Sequence, residues 1–423
     1  MPLPEPAESS PTEIGLRAPA RAGAPVRWRW IAVGIFFLSS SVNYLDRLLL
    51  AALGPTVMGE FHLNNFQFGQ ITSVFSIVYA VMAPLAGLFV DRVGLSAGIM
   101  ISMTVWSLAG CATGFTQSFR ALLGCRTVLG MAEAAGIPCT GKANGSYLEP
   151  GELALGTASN QVGITIGSVA APLLVAAIAP KYGWRATFVI CGLLGLLWVP
   201  LWWITSRRIP AREAPKRTVP VAVSAMLRDR RLWGLIVANA LVMTVYSLWS
   251  TWTTIYFVHE RHLTEIQANR DFAWIPPVFA TCGGFFGGWL VYRAIRSGTE
   301  VLRARMRVCW IGAVILLATA AVPLMPTTVL TAAAISLSFF WTLSLSVNMY
   351  AMPIDWFGPS RAAFGVSAIT CSYGLMQAFL APLIGATVDH FGFGAVCTGI
   401  AVLPLAGITI LSMSTRESRG IPA

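Results

Sequence analysis

The sequence predicts an all-α polytopic membrane protein: twelve transmembrane helices in two six-helix bundles. Three observations predict it. Of 423 residues, 56% are hydrophobic and only 11% charged, where a soluble domain carries roughly a quarter charged residues. Apolar runs of spanning length, about 20 residues for a bilayer core, recur at 30–53, 68–90, 97–117, 119–142, 153–179, 186–205, 232–258, 272–291, 308–324, 328–353, 363–387 and 393–413. The one long polar interruption, 206–231, falls between the sixth and seventh runs and carries eight basic residues.

Taken in order, residues 1–29 are rich in Pro, Ala, Glu and Arg and lack the compact apolar region of a signal peptide. They are expected to form a disordered cytoplasmic tail. Residues 30–205 form the first bundle, 206–231 a cytoplasmic basic linker, 232–415 the second bundle and 416–423 a short cytoplasmic tail. Two bundles related by a repeat imply a substrate site between them near mid-depth, the common plan of secondary transporters. The net charge of +11 sits between apolar runs instead of forming a surface for nucleic acid, which excludes that partner. Lysine and arginine number 22 on the side of the termini and 5 on the other, with Arg47 and Arg126 left inside the membrane. By the positive-inside rule both termini are cytoplasmic. Eight cysteines are scattered singly, with no CxxC and no metal-ligand spacing. No nucleophile–base pair or cofactor loop stands out, so neither an enzyme nor a metal or cofactor is expected.

Helix one carries the sequence Asn43-Tyr44-Leu45-Asp46-Arg47, with an acid and a base side by side in a spanning run. Helix four carries Arg126 and, two turns on, Glu133. A charge at helix centre costs roughly 2.5–3.5 kcal/mol on insertion scales, and such groups mark function by default. At 1.5 Å per residue, Arg47 and Arg126 both lie about 10 Å from the outer side, with Glu133 deeper. The bland reading is salt bridges that only hold the first bundle together. One pair would serve that purpose; two acids and two bases on two helices favour exchangeable partners. Desolvation favours the neutral carboxyl, so Asp46 or Glu133 is able to hold a proton at neutral pH. Protonation frees an arginine, whose guanidinium then binds a substrate carboxylate. Anion and proton load together, and two buried carboxylates favour protons over sodium.

Helix two ends in Gly87-Leu-Phe-Val-Asp91-Arg92-Val-Gly94, and helix eight in Gly288-Trp-Leu-Val-Tyr292-Arg293 with the same Gly-to-Arg spacing. The glycine suits close helix approach; the Asp91–Arg92 pair suits a conformational latch at helix ends. On helix seven, Tyr246 lies near mid-depth, below Trp249 and Trp252. These aromatics either stack on substrate or pack between helices and at the interface. Gln161 and Thr165 on helix five, Asn348 on helix ten, and Ser372, Tyr373 and Gln377 on helix eleven are either site residues or interhelical hydrogen-bond partners. Trp198, Trp202 and Trp203 read as interface anchors.

The Gly87–Gly94 segment resembles the cytoplasmic loop motif of the major facilitator superfamily, departing from it at Leu95, Ser96 and Tyr292. Asn43–Arg47, and Arg126-Thr-Val-Leu-Gly130-Met-Ala-Glu133-Ala134-Ala135-Gly-Ile-Pro138, resemble the helix-one and helix-four motifs of its anion:cation symporter family. Gly183-Trp184-Arg185 and Trp252–Tyr256 also follow that pattern. The resemblance implies that Arg47 binds an anion, that Asp46 and Glu133 carry protons, and that Arg126 is their ionic partner and a second anion contact. Asn43, Tyr44, Tyr79, Gln161, Tyr246, Asn348, Ser372 and Tyr373 complete the expected substrate site. The expected activity is proton-coupled import of an organic anion, such as a hexuronate or aldonate, by a monomer in a bacterial inner membrane. Ala83 stands where Gln is common and Thr254 where Pro is usual, and helix eleven reads Ser367–Tyr373 where asparagines are frequent. Fewer amides raise a small or aromatic monocarboxylate as the alternative. A proton-driven efflux antiporter is a second alternative, though Arg47 and Arg126 would repel a cationic drug. A transporter-like sensor is a third, and the short linker argues against it.

Overall fold

The structure is a computed structural model and describes residues 26–149, 151–209 and 226–416. In the first half, α1 (Val26–Ala52) is followed by the short α2 (Gly54–Phe61), α3 (Asn65–Val93), α4 (Leu95–Thr113), α5 (Phe119–Glu133), α6 (Gly136–Tyr147) and α7 (Leu153–Ser206). The second half holds α8 (Arg230–Arg261), α9 (Ile275–Arg296), α10 (Val301–Leu316), α11 (Thr328–Phe357), α12 (Pro359–Ala401) and α13 (Leu403–Arg416). A π turn, Ala268–Ala273, precedes α9, and a 3₁₀ segment, Leu317–Leu324, extends α10. The basic stretch 210–225 and the tails 1–25 and 417–423 lie outside the described residues. The helix begins at Val26, so residues 26–29, expected to belong to the tail, are the first turn of α1.

α7 contains 54 residues, about 80 Å at 1.5 Å per residue, far more than the ~30 Å bilayer core. It crosses twice. Gly183, at φ 81° and ψ 166°, breaks it, in a region of backbone space that is essentially reserved for glycine. Gly392, at φ 73° and ψ 176°, breaks α12 in the same way. α5 and α6 together make one crossing. Their break at Ala134–Ala135 follows from Pro138, which has no N–H to give the carbonyl of Ala134 four residues back. Among the described residues the count of crossings is the expected twelve, so Val26 and Arg416 lie on one side.

The two-fold repeat is visible in detail that the Gly–Arg echo only suggested. His62-Leu63-x-x-x-Gln67 recurs 200 residues on as His262-Leu263-x-x-x-Gln267. Both histidines are left-handed, at φ 52° and φ 54°, a conformation in which His is enriched among non-glycine residues. Each precedes a capping box, Asn64 with Gln67 and Thr264 with Gln267, satisfying otherwise orphaned N–H groups.

Two cores hold the molecule. Towards the termini, the first half packs Phe36, Trp106, Trp198 and Trp202. Trp198 and Trp202 are therefore not interface anchors: both are buried, and the Trp198 indole donates to the Ile35 carbonyl at 2.7 Å. Only Trp203 stays exposed, with Arg207 over its ring. At the far end a second core crosses between the halves, where Phe68 meets Trp252 at 5.6 Å between ring centroids. There α3 and α12 touch backbone to backbone: a methyl added at Gly69 would overlap Ala381, and one at Gly385 would overlap Asn65. Hydrogen bonds between the halves cluster at the same end. Asp389 accepts from the N–H groups of Asn65 (3.1 Å) and Phe66 (2.9 Å), and Glu265 from that of Thr56 (2.8 Å). Asn269 donates to the Ala52 carbonyl and accepts from Thr254, which gives the residue standing in place of the usual proline a use. The molecule is thus sealed at the end away from its termini.

Candidate functional site

The site forms where α1, α3 and α5 meet beneath this seal. Arg47 on α1 donates through Nη2 and Nε to Oε2 of Glu133 at 3.2 and 3.4 Å. Glu133, the last residue of α5, is fully buried. The Arg47 guanidinium also lies within 5.0 Å of the ring centroids of Tyr44, Phe75 and Tyr79. Cation–π contacts of this kind are worth about 0.5–2 kcal/mol each according to desolvation. Phe75 was absent from the expected set. Its signal was the spacing, since Phe75 and Tyr79 are four residues apart and share one face of α3.

Asp46 points elsewhere. Adjacent helical residues diverge by about 100°, so Asp46 turns from the cavity towards α4, with Oδ1 facing Gly110. It is 3% exposed, and neither carboxylate oxygen has a hydrogen-bond partner among the described residues. Arg126, equally buried, leaves Nε and Nη2 unpartnered. The two interact electrostatically without an ion-pair contact. A buried unpaired charge is expensive.

Arg47 and Arg126 line a cavity together with Tyr44, Tyr246, Tyr373 and Gln377. Gln377 accepts from Ser76 across the halves at 3.2 Å. Tyr246 is edge-on to Phe339 and to Tyr373. Asn43 is buried, with its amide towards Gly136 on α6.

Other expected residues lie apart from this cavity. Asn348 is committed to helix packing: it donates to the carbonyls of Gly287 (3.3 Å) and Ser344 (2.8 Å) and accepts from Arg305. Arg305 in turn pairs with Asp355 at 2.6 Å, a partly buried ion pair just beyond the ends of the runs 308–324 and 328–353. Ser372 donates to the Ile369 carbonyl and accepts from Asn239. Gln161 is exposed on α7. At the expected latch, Asp91 pairs with Lys142 at 2.8 Å within its own half, and Arg92 is exposed. Gly87 faces open space instead of a neighbouring helix. Gly94 ends α3 at φ 86°.

Residues 36–352 match the Major Facilitator Superfamily. The chain is 27% identical over 404 residues to the hexuronate transporter of Escherichia coli K12, covering 90% of this chain and 93% of that protein. It is 27% identical over 281 residues to the galacturonate transporter of Dickeya chrysanthemi, covering 62% of this chain and 81% of that one. In fold it is similar to a bacterial homologue of the human lysosomal transporter Spinster in an inward-facing, occupied conformation. The TM-score is 0.78 at 18% identity, over 94% of this chain and all of that one. A bilayer-spanning helical duplication with a charged cavity between its halves, matched along three quarters of its length, belongs to the Major Facilitator Superfamily, and the protein is an integral membrane transporter of that family.

Proposed function

We propose that the protein imports an organic carboxylate together with protons by alternating access. The observation that carries this is the bond from Arg47, which lines the cavity, to Glu133, which is fully buried. With Glu133 ionised, Arg47 is neutralised internally and an anion gains little from it. A proton on Glu133 releases the guanidinium, and the substrate carboxylate replaces the lost partner. Asp46 balances Arg126 behind the cavity wall. The relatives' names, hexuronate, galacturonate and D-galactonate transporters, support a carboxylate as cargo and put sugar acids on the panel to be tested. The lysine and arginine asymmetry supports cytoplasmic termini in a bacterial plasma membrane, which makes the sealed end the outer one. A monomer holds the whole site.

The test is acidification of proteoliposomes that contain the purified protein and a trapped pH dye, with acids added outside. Acidification with one class of carboxylate, abolished in Glu133→Gln while substrate exchange persists, is the expected result. Normal proton-driven accumulation by Glu133→Gln would remove Glu133 from coupling.

A further inference from the structure

A second cavity meets the arginine-lined one along a common wall of Leu48, Ala51, Tyr246, Ser250 and Thr251. It runs on towards the sealed end past Trp249, Pro276 and Phe339. Its lining holds no acidic or basic side chain and no amide. Its hydroxyl protons are largely spoken for. Ser168 donates to the Ile164 carbonyl, Ser250 to that of Ser247, Thr253 to that of Trp249, and Thr254 to Asn269. These four groups offer lone pairs and no free proton; the donors left in the lining are the Tyr246 and Thr251 hydroxyls and the indole N–H of Trp249, which is buried without a partner among the described residues.

Resting on the carboxylate reading above, we infer that the cargo is a monocarboxylate with an apolar or aromatic body, its carboxylate at Arg47 and its body in this charge-free compartment. A sugar acid brings four or five hydroxyls, each needing donors and acceptors, and a buried polar group left unmatched costs about 1–3 kcal/mol. An aldarate would place a second carboxylate where no cation meets it, which is costlier. An aromatic ring finds Tyr246, Trp249 and Phe339 as edge and face partners. The compartment therefore discriminates by what it lacks, as sites without matching polar groups do.

The experiment compares phenylacetate, 4-hydroxybenzoate and hexanoate with glucuronate, gluconate and glucarate in the proteoliposome acidification assay. Half-saturation about tenfold lower for the first group is expected, from burial of a ring or chain. Ala273→Phe, which fills the charge-free compartment and does not line the arginine cavity, should abolish response to phenylacetate and keep that to acetate, whereas a misfolded protein would lose both. Equal or tighter half-saturation for glucuronate or glucarate overturns this inference and leaves carboxylate symport standing. Acidification by none of the acids, acetate included, beyond that of protein-free liposomes, overturns the carboxylate reading itself and this inference with it.

Discussion

Arg47 meets an acid and three aromatic rings at once. The planar guanidinium suits both tasks, because it stacks on ring faces while its edge keeps donors for a carboxylate; a lysine ammonium offers neither the plane nor the fork. Arg47→Lys should therefore bind anions more weakly than the native protein although charge is kept, and Arg47→Ala should lose binding. Truncating one member of a buried charge pair typically costs 2–5 kcal/mol, roughly 30-fold to several thousandfold in affinity. Calorimetric titration of the purified variants with the best substrate measures it; native affinity in Arg47→Ala would take Arg47 out of the site. Which of the neighbouring charges face the cavity was half legible. The motif named Asp46 and Arg47 together, but one residue of helix turn sends them to opposite sides of a wall.

Among the elements, α3 and α12 carry the outer closure. Asp389 of α12 accepts from the first two N–H groups of α3 and from the Asn65 amide at 2.7 Å. A helix N-terminus presents free N–H groups and a positive dipole end, so a carboxylate from the other half is a clasp that must release before the outer side opens. Loss of a capping group costs about 1 kcal/mol, a factor of about five in the balance of states. Asp389→Ala should raise by about fivefold the rate at which an impermeant thiol reagent added outside modifies a cysteine at position 250, in a protein whose exposed Cys282 and Cys371 have been replaced by serine. An unchanged rate would mean that the aromatic and glycine contacts hold the seal alone. The clasp was not visible in the sequence, since Asn65 and Asp389 are 324 residues apart and each reads as an ordinary helix-end residue.

At the scale of the whole molecule, the far end is packed across the halves by rings and by glycine-mediated contacts. At the opposite end the latch aspartate pairs within its own half. A seal at one end is what a transporter closed on that side requires, and whether that side is the outer one depends on which way round the chain is inserted. A fluorescent protein fused after Ala423 should fold and fluoresce in whole bacterial cells, and a periplasmic phosphatase fused there should be inactive. The reverse pattern would invert the orientation and turn the proposed importer into an exporter.

Composition and periodicity alone determined the number of crossings, the duplication and the placing of four charges within spanning runs. These are local properties: a bilayer demands about 20 apolar residues per crossing and penalises every charge left within it. The interruption between the runs 153–179 and 186–205 was legible and Gly183 lies in it, whereas 119–142 reads as one run and the break before Pro138 appears only in the structure. The tertiary structure decided the rest. It divided the charges between a cavity and a wall, took Asn348 for helix packing, brought Phe75 to Arg47, and set a charge-free compartment beside a cationic one. Each of those outcomes depends on the rotation of one helix against another, which is fixed by the packing of side chains far apart in sequence.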